Sequence, residues 1–355
     1  MSLTASFSLT RDTFTLSVDI NLPASGITAL FGPSGSGKTT LLRAIAGLEH
    51  IPSARITFQE NIWQEDRTFV PTHLRRIGYV FQQACLFPHL SVRGNLEYGL
   101  HRTPIDNRRI RLDDAVDLLG IGALLERDPL TLSGGEQQRV AIARTLATSP
   151  ELLLMDEPLS SLDHKRKLEI LPYLETLHRE LALPVLYVSH ATDEVARLAD
   201  ELVILRNGSI LGSGPIQQML TRLDLPLAHR GDAETLIQAR VTNLDSEFGL
   251  AHLQAGDHKF IVTSAGLKAG DDVRLRISAH DVSLTLEQQR GTSIQNIFPV
   301  TVVETAPEGD AQVMVKVMLG NNPLLARVTR KSVNELDIAA GKQLFAQIKG
   351  IAVLA

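Results

Sequence analysis

GITALFGPSGSGKTTLLRAIAGL, residues 26–48, sets a short apolar run, a glycine-rich loop and a helical pattern in immediate succession. The run before the loop reads as a buried strand and "TTLLRAIAGL" as the helix that follows it. Between them, Gly32 to Thr39 fit G-x-x-x-x-G-K-[ST], the spacing of a phosphate-binding loop. Glycines let successive backbone N–H groups curl round phosphate oxygens, and the helix N-terminus adds partial positive charge. Gly32, Pro33, Ser34, Gly35, Ser36, Gly37, Lys38, Thr39 and Thr40 are therefore candidate nucleotide-binding residues. Lys38 is placed to reach the β- and γ-phosphates, and the Thr39 hydroxyl to ligate Mg²⁺. A merely flexible Gly/Ser loop would need neither this spacing nor a strand and helix at its two ends.

Working outward, strand-like runs alternate with helical patterns through the N-terminal part, which points to an α/β fold. "ELLLMDEP" is one such run, a buried strand that delivers Asp156 to its end, where it can hold Mg²⁺ through water. Glu157 follows by one residue, where a carboxylate can polarise a water for in-line attack on a γ-phosphate. "LPVLYVSH" is another, ending in His190. From about residue 235 short β-branched runs separated by Gly, Asp and Asn take over, the pattern of a small all-β region. Inside it "LKAGDDVRLRISAHDVSL" (267–284) and "IAAGKQLFAQIKGIAVLA" (338–355) align at a constant offset, Gly270 with Gly341, Val273 with Leu344, Ile277 with Ile348 and Val282 with Val353. Two related β-modules are the economical explanation.

The whole chain narrows the function classes. Its 355 residues, 44% hydrophobic and 21% charged, are ordinary for a globular protein of two or three domains. A formal net charge of −5 with no dense Lys/Arg block argues against a nucleic-acid partner. One cysteine, Cys85, cannot form an internal disulfide. The opening "MSLTASFSLTRDTF" has no basic region followed by an apolar run, and no segment approaches 18 uninterrupted apolar residues. A cytoplasmic chain is expected, free to dock on a membrane protein.

"LSGGEQQRVAIARTLA", residues 132–147, opens a helix with two glycines, each costing about 1 kcal/mol against alanine in a helical position. Ser133 and Glu136 have the S-x-x-E spacing of a capping box. That accounts for the serine and the glutamate and leaves Gly134 and Gly135 unexplained.

Phosphate loop, "LSGGEQQ", "LLLMDEP", "SSLDH" and "YVSH" stand in the order and spacing of the ATP-binding cassette (ABC) ATPases, and the chain resembles that family over residues 1–230. The resemblance implies a P-loop ATPase domain with a helical subdomain, binding ATP and Mg²⁺ and working as a homodimer. It implies that Ser133, Gly134 and Gly135 cradle the γ-phosphate of ATP on the other subunit's phosphate loop; two glycine-led helix N-termini can clamp one polyanion from opposite sides. By the same resemblance Gln82 senses Mg²⁺ and the attacking water, His190 hydrogen-bonds the γ-phosphate and orients Glu157, and Asp163 links the two sites of the dimer. A strand-end histidine and an ordinary helix N-cap are the bland readings of His190 and Asp163. The family's adenine-stacking ring has two candidates here, Phe7 and Phe14. The segment "ACLFPHLSVRGNLEYGL" (84–100), with a possible cap at Ser91, would receive the coupling helix of a separate transmembrane permease.

The last 65 residues, 291–355, resemble the small molybdate-binding (Mop-type) domain through "S-I-Q-N", "V-T-x-x-S-V-x-E-L" and "G-K-Q-L-F-A-Q-I-K". An OB-like all-β domain is implied, after a linker and first β-module at 231–290. Ser293, Asn296 and Lys349 are the oxyanion candidates, since hydroxyls, amides and a lysine suit a tetrahedral dianion. The usual arginine of the opening S-x-R-N is Gln295, so that positive charge is missing. Over its full length the chain is similar to the ATP-binding subunits of molybdate importers. The resemblance implies a peripheral subunit on the cytoplasmic face of the membrane, served indirectly by an extracytoplasmic molybdate-binding protein. Tungstate is a second possible cargo. An importer ATPase for sulfate, iron or sugar is the runner-up. A cassette ATPase acting on nucleic acid or ribosomes would be expected to bring paired cassettes, heptads or basic stretches that this chain lacks.

Overall fold

The computed structural model describes residues 2–181, 183–264 and 266–354. The chain divides into two compact units, one ending at Ser213 and the other beginning at Gly214.

In the first unit β1 (Ser2–Arg11) and β2 (Phe14–Pro23) form a hairpin, followed by β3 (Ile27–Phe31), α1 (Lys38–Ala46), β4 (Arg55–Phe58), β5 (Asn61–Glu65), β6 (Thr68–Phe69) and β7 (Ile77–Val80). Helices α2 (Val92–Leu100), α3 (Leu112–Leu118) and α4 (Gly134–Leu146) come next. They lead into β8 (Leu152–Asp156), α5 (His164–Leu181), β9 (Val185–Ser189), α6 (Thr192–Leu198), β10 (Glu201–Arg206) and β11 (Ser209–Pro215). Two sheets result, β2-β1-β4-β5-β6 and β11-β10-β3-β9-β8-β7. In the second, β10, β3, β9, β8 and β7 run parallel. Every residue of β3, β8 and β9 is buried, as a parallel strand covered on both faces requires. β2 instead alternates exposed and buried positions, so the first sheet turns one face to the core. One core joins the first sheet to α1, through Leu3, Leu16, Leu41 and Ile45. A second gathers α2, α3, α4 and α5 on the other side, through Leu96, Val116, Val140 and Leu171.

Because the strands are parallel, their carboxyl ends lie along one edge, the edge where ligands of open α/β sheets bind. Phe31 pairs with Ser189, Val188 with Asp156 and Met155 with Val80. The segments that leave these strands carry the phosphate loop, His190, Glu157 and Gln82.

The second unit begins with α7 (Ile216–Leu220), followed by strands β12 (Glu234–Asp245), β13 (Leu250–Ala255), β14 (His258–Thr263), β15 (Asp272–Ser278) and β16 (Val282–Thr285). Then come β17 (Asn296–Glu308), β18 (Gln312–Leu319), β19 (Asn322–Thr329), α8 (Arg330–Glu335), β20 (Gln343–Ile348) and β21 (Ala352–Leu354). The sheets are β14-β13-β12-β15-β21 and β16-β20-β17-β18-β19. The sequence echo has a structural counterpart: β15 corresponds to β20 and β16 to β21. The partners are exchanged, however, with β15 pairing β21 and β16 pairing β20. Each module supplies the edge strand of the other's sheet, and one core containing Leu253, Phe260, Leu275, Val315, Leu344 and Ala346 fills both. The two modules repeat a local device as well. Gly270 N donates to Val241 O at 2.8 Å and Gly341 N to Val302 O at 2.8 Å, each beside a register shift in β12 and β17.

The unit boundary at Ser213/Gly214 precedes the residue-230 boundary expected from sequence, and residues 231–290 and 291–355 form one body instead of two. Packing explains the first difference: Leu223 and Ala228, which precede residue 230, are buried with Ala233, Ala279, Met314 and Leu325 of the second unit. Strand exchange explains the second, since neither module has a complete sheet without the other.

Candidate functional site

The loop after β3 is shaped by close approach. A Cβ on Gly32 would stand 2.1 Å from the Leu205 carbonyl oxygen, and Gly37 has φ +104° with Leu16 packed 2.7 Å from where its Cβ would be. α1 starts at Lys38, and its first N–H groups have no intrahelical partner. Phe14, Ser34, Gly35, Gly37, Lys38, Thr39, Thr40 and Glu157 line a cavity of about 310 Å³ over this loop. Lys38 is buried and its ammonium donates to the carbonyls of Gly32 and Pro33, both at 2.9 Å, which uses two of its three donors. Burial lowers its pKa, against the opposing pull of Glu157 and Asp156.

Across the edge, Thr39 Oγ1 donates to Asp156 Oδ1 at 2.9 Å and the Tyr79 hydroxyl donates to Asp156 Oδ2 at 3.1 Å. Burial, then the Asp156 charge, raises the Tyr79 phenol and keeps it a donor. Glu157 adopts φ +46°, with its N–H on Val188 O at 3.1 Å. His190 Nδ1 lies 3.4 Å from Glu157 Oε2. Gln82 is exposed just beyond the end of β7. The hydroxyl of Thr39, the carboxylate of Asp156 and the amide of Gln82 are hard oxygen donors that suit Mg²⁺, which is held by one or two carboxylates together with phosphates. The arrangement can therefore grip a triphosphate, hold a hard cation, and set a carboxylate with an adjoining imidazole against the terminal phosphate.

Of the two candidate rings, Phe14 lines the cavity and Phe7 is packed in the core at 5% exposure. Ser133 and Glu136 form the reciprocal capping box. Gly134 and Gly135 are no part of the cavity lining; a Cβ on Gly134 would meet Leu162 Cδ2 at 3.2 Å and one on Gly135 would meet Ile170 Cδ1 at 3.6 Å. Packing thus asks for a small residue at Gly134, while an added Cβ at Gly135 would make only an ordinary contact within the chain. Asp163 Oδ1 accepts from Arg166 N at 2.9 Å and caps α5. In the second unit the Asn296 side chain is committed to β14, accepting from Ile261 N at 2.9 Å and donating to Ile261 O at 2.8 Å. Ser293 and Lys349 are exposed.

Sequence reasoning missed Tyr79, which belongs to no motif; its place on β7, three residues before Gln82, is the signal that could have found it. It also missed Glu194, a buried carboxylate four residues after His190 on the short helix α6.

Fold and site together define a phosphate-loop nucleotide-binding protein with an appended β-unit. The ABC transporter family matches residues 16–160, and the TOBE domain matches residues 292–355, the segment in which the Mop-type resemblance lay. The molybdenum import ATP-binding protein ModC of Pseudomonas savastanoi pv. phaseolicola (strain 1448A / Race 6) is 54% identical over 352 residues, 98% of this chain and 97% of its own. That of Thiobacillus denitrificans (strain ATCC 25259 / T1) is 52% identical over 354 residues, 99% and 98% of the two chains. The structure of cbiO1 from Clostridium perfringens, part of the ABC transporter complex cbiONQ, superposes with a TM-score of 0.54 at 29% identity, over 61% of this chain and 89% of that one. The chain belongs to the molybdenum import ATP-binding proteins of the ABC transporter family.

Proposed function

We propose that this chain hydrolyses ATP to power the import of molybdate through a separate membrane permease. The observation that carries the reading is the single edge on which Lys38, Thr39, Asp156, Glu157 and His190 meet, in a chain similar from end to end to molybdenum import ATP-binding proteins. Lys38 and the N–H groups of the loop hold the phosphates. Mg²⁺, when bound by Thr39, Asp156 and Gln82, neutralises charge on the transferring phosphoryl group. Glu157 takes the proton of the attacking water, and His190 keeps that carboxylate aimed. Phe14 stacks on adenine.

The site is completed by a second copy of the chain, whose Ser133, Gly134 and Gly135 face the γ-phosphate and whose Asp163 reaches across the dimer. The space left around Gly135 supports this reading, because nothing in its own subunit demands a glycine there. No helix among the described residues is long and apolar enough to cross a membrane, so the permease is a separate chain and this one docks on its cytoplasmic face, with residues 84–100 as the receiving surface. An extracytoplasmic molybdate-binding protein feeds the pathway without touching this subunit. The first unit performs the hydrolysis, and the second, from Gly214 onward, senses the oxyanion or holds the dimer; Ser293 and Lys349 are its exposed anion candidates, Asn296 being already engaged with Ile261. The assignment is tested by deleting the gene: growth that depends on molybdoenzymes should fail at low external molybdate and be restored by the wild-type chain, not by Lys38→Ala. Uptake of molybdate at the wild-type rate in the deletion strain would refute it.

A further inference from the structure

His190 is half exposed, at 52%, with Nδ1 3.4 Å from Glu157 Oε2, so packing alone does not fix its ring. What holds the backbone around it is a buried polar cluster. Glu194, 3% exposed, accepts from Ser189 Oγ at 2.8 Å and from the Tyr187 hydroxyl at 2.9 Å on one oxygen, and from Lys167 Nζ at 2.7 Å on the other. Ser189 Oγ also accepts from Ala191 N at 3.1 Å. One hydroxyl therefore bridges the residues on either side of His190 and is itself tied to the carboxylate. Lys167 lies in the first turn of α5, and its backbone N–H bonds to Asp163 O at 3.0 Å. The cluster thus spans from the Asp163 cap to the His190 loop.

We propose that Glu194 is a positioning residue for His190, acting through Ser189, and that Lys167 joins this hold to the helix that Asp163 caps. The inference rests on the hydrolytic reading and deepens it. A buried carboxylate with every oxygen partnered keeps one geometry, while breaking such a set leaves a charge uncompensated. That cost is worth carrying where a partly exposed imidazole must meet a general base at hydrogen-bond reach.

The test is steady-state ATPase kinetics of the full chain in its transporter complex. Ser189→Ala leaves the Lys167–Glu194 pair in place and removes only the bridge. It is expected to lower kcat about tenfold or more, with KM for ATP unchanged within about twofold, as a small misplacement of a catalytic group does. Ser189→Thr, which keeps the hydroxyl, should restore kcat. Glu194→Gln should lower kcat in the same way but also lower the melting temperature, because Lys167 loses its partner, so Ser189→Ala decides. In a His190→Ala background Ser189→Ala should add nothing. In parallel, the imidazole NMR signals of His190, assigned by their loss in His190→Ala, should shift in Ser189→Ala and not in Ser189→Thr. Wild-type kcat in Ser189→Ala, an equal loss with His190 absent, or unmoved imidazole signals would each overturn the proposal. A wild-type chain without ATPase activity would instead refute the hydrolytic reading itself.

Discussion

Glu157 holds a left-handed backbone, φ +46°, in a region where a non-glycine side chain costs on the order of 1–3 kcal/mol. The surroundings impose it: its N–H bonds to Val188 O, and its carbonyl accepts from Ser160 N at 3.1 Å and Ser160 Oγ at 2.8 Å. The bend turns the carboxylate toward the phosphate loop and His190. Two substitutions separate strain from chemistry. Glu157→Gln keeps the strain and removes the base, so ATP should still bind in a filter assay while phosphate release slows by about 10²–10⁴. Glu157→Gly removes both, and should be equally inactive yet melt no lower than the Gln variant. Phe14→Ala should weaken ATP binding by about 1–3 kcal/mol, the size of a lost base–aromatic stack, with Phe7→Leu leaving affinity unchanged in the same titration.

At the scale of the element, α4 carries two demands on one N-terminus. Its capping box is complete, and the Ser133 hydroxyl first, then the Ser133 N–H, hold the Glu136 carboxyl below its ordinary value. A depressed native value means a contribution that is present above the unfolded pKa and lost as pH falls through the folded one. Ser133→Ala should therefore cost about 0.5–2 kcal/mol near neutrality, and the difference from wild type should shrink below about pH 4 in urea melts. Gly135 belongs to the second demand. With Ile170 Cδ1 at an ordinary 3.6 Å from an added Cβ, Gly135→Ala should fold and bind ATP. Gly135→Asp should in addition put a carboxylate against phosphate and block ATP-driven dimer closure, read by gel filtration with the hydrolysis-deficient Glu157→Gln chain. Normal closure and hydrolysis in Gly135→Asp would return the stretch to a helix cap and nothing more.

For the whole molecule, the exchanged edge strands make the second unit a single folding body whose last strand closes the sheet of its first module. Ending the chain at residue 351 should strip β21 from β15 and lower the melting of that unit by roughly 3–10 °C in calorimetry. The first unit has its own cores, so ATP affinity at Lys38 should be unaffected. Calorimetric titration of the full chain with molybdate, tungstate and sulfate tests the sensing role of this unit, with heat expected for the first two. A ligand that prefers one arrangement of the paired chains would then restrain hydrolysis by linkage.

Local patterns sufficed where the chemistry itself is local. The phosphate loop, the strand that ends in Asp156 and the S-x-x-E box each need neighbours in sequence, so the α/β class, the Lys38–Thr39 pair and the cap of α4 could be read from residue types and spacing alone. The β-character of the tail and its internal echo were legible for the same reason, since alternation and turn residues repeat at fixed distances. What needed the tertiary structure depends on groups far apart in the chain. Phe14 became distinguishable from Phe7 only when one lined the cavity and the other entered the core. Tyr79 acquired a role through Asp156, 77 positions away, and Glu194 through Lys167, 27 positions away. Strand exchange is invisible in a repeat, because β15 and β20 carry the same pattern and either could accept β16 or β21. Which pairing forms is decided by the common core they bury, a property of the folded unit and not of any window of sequence.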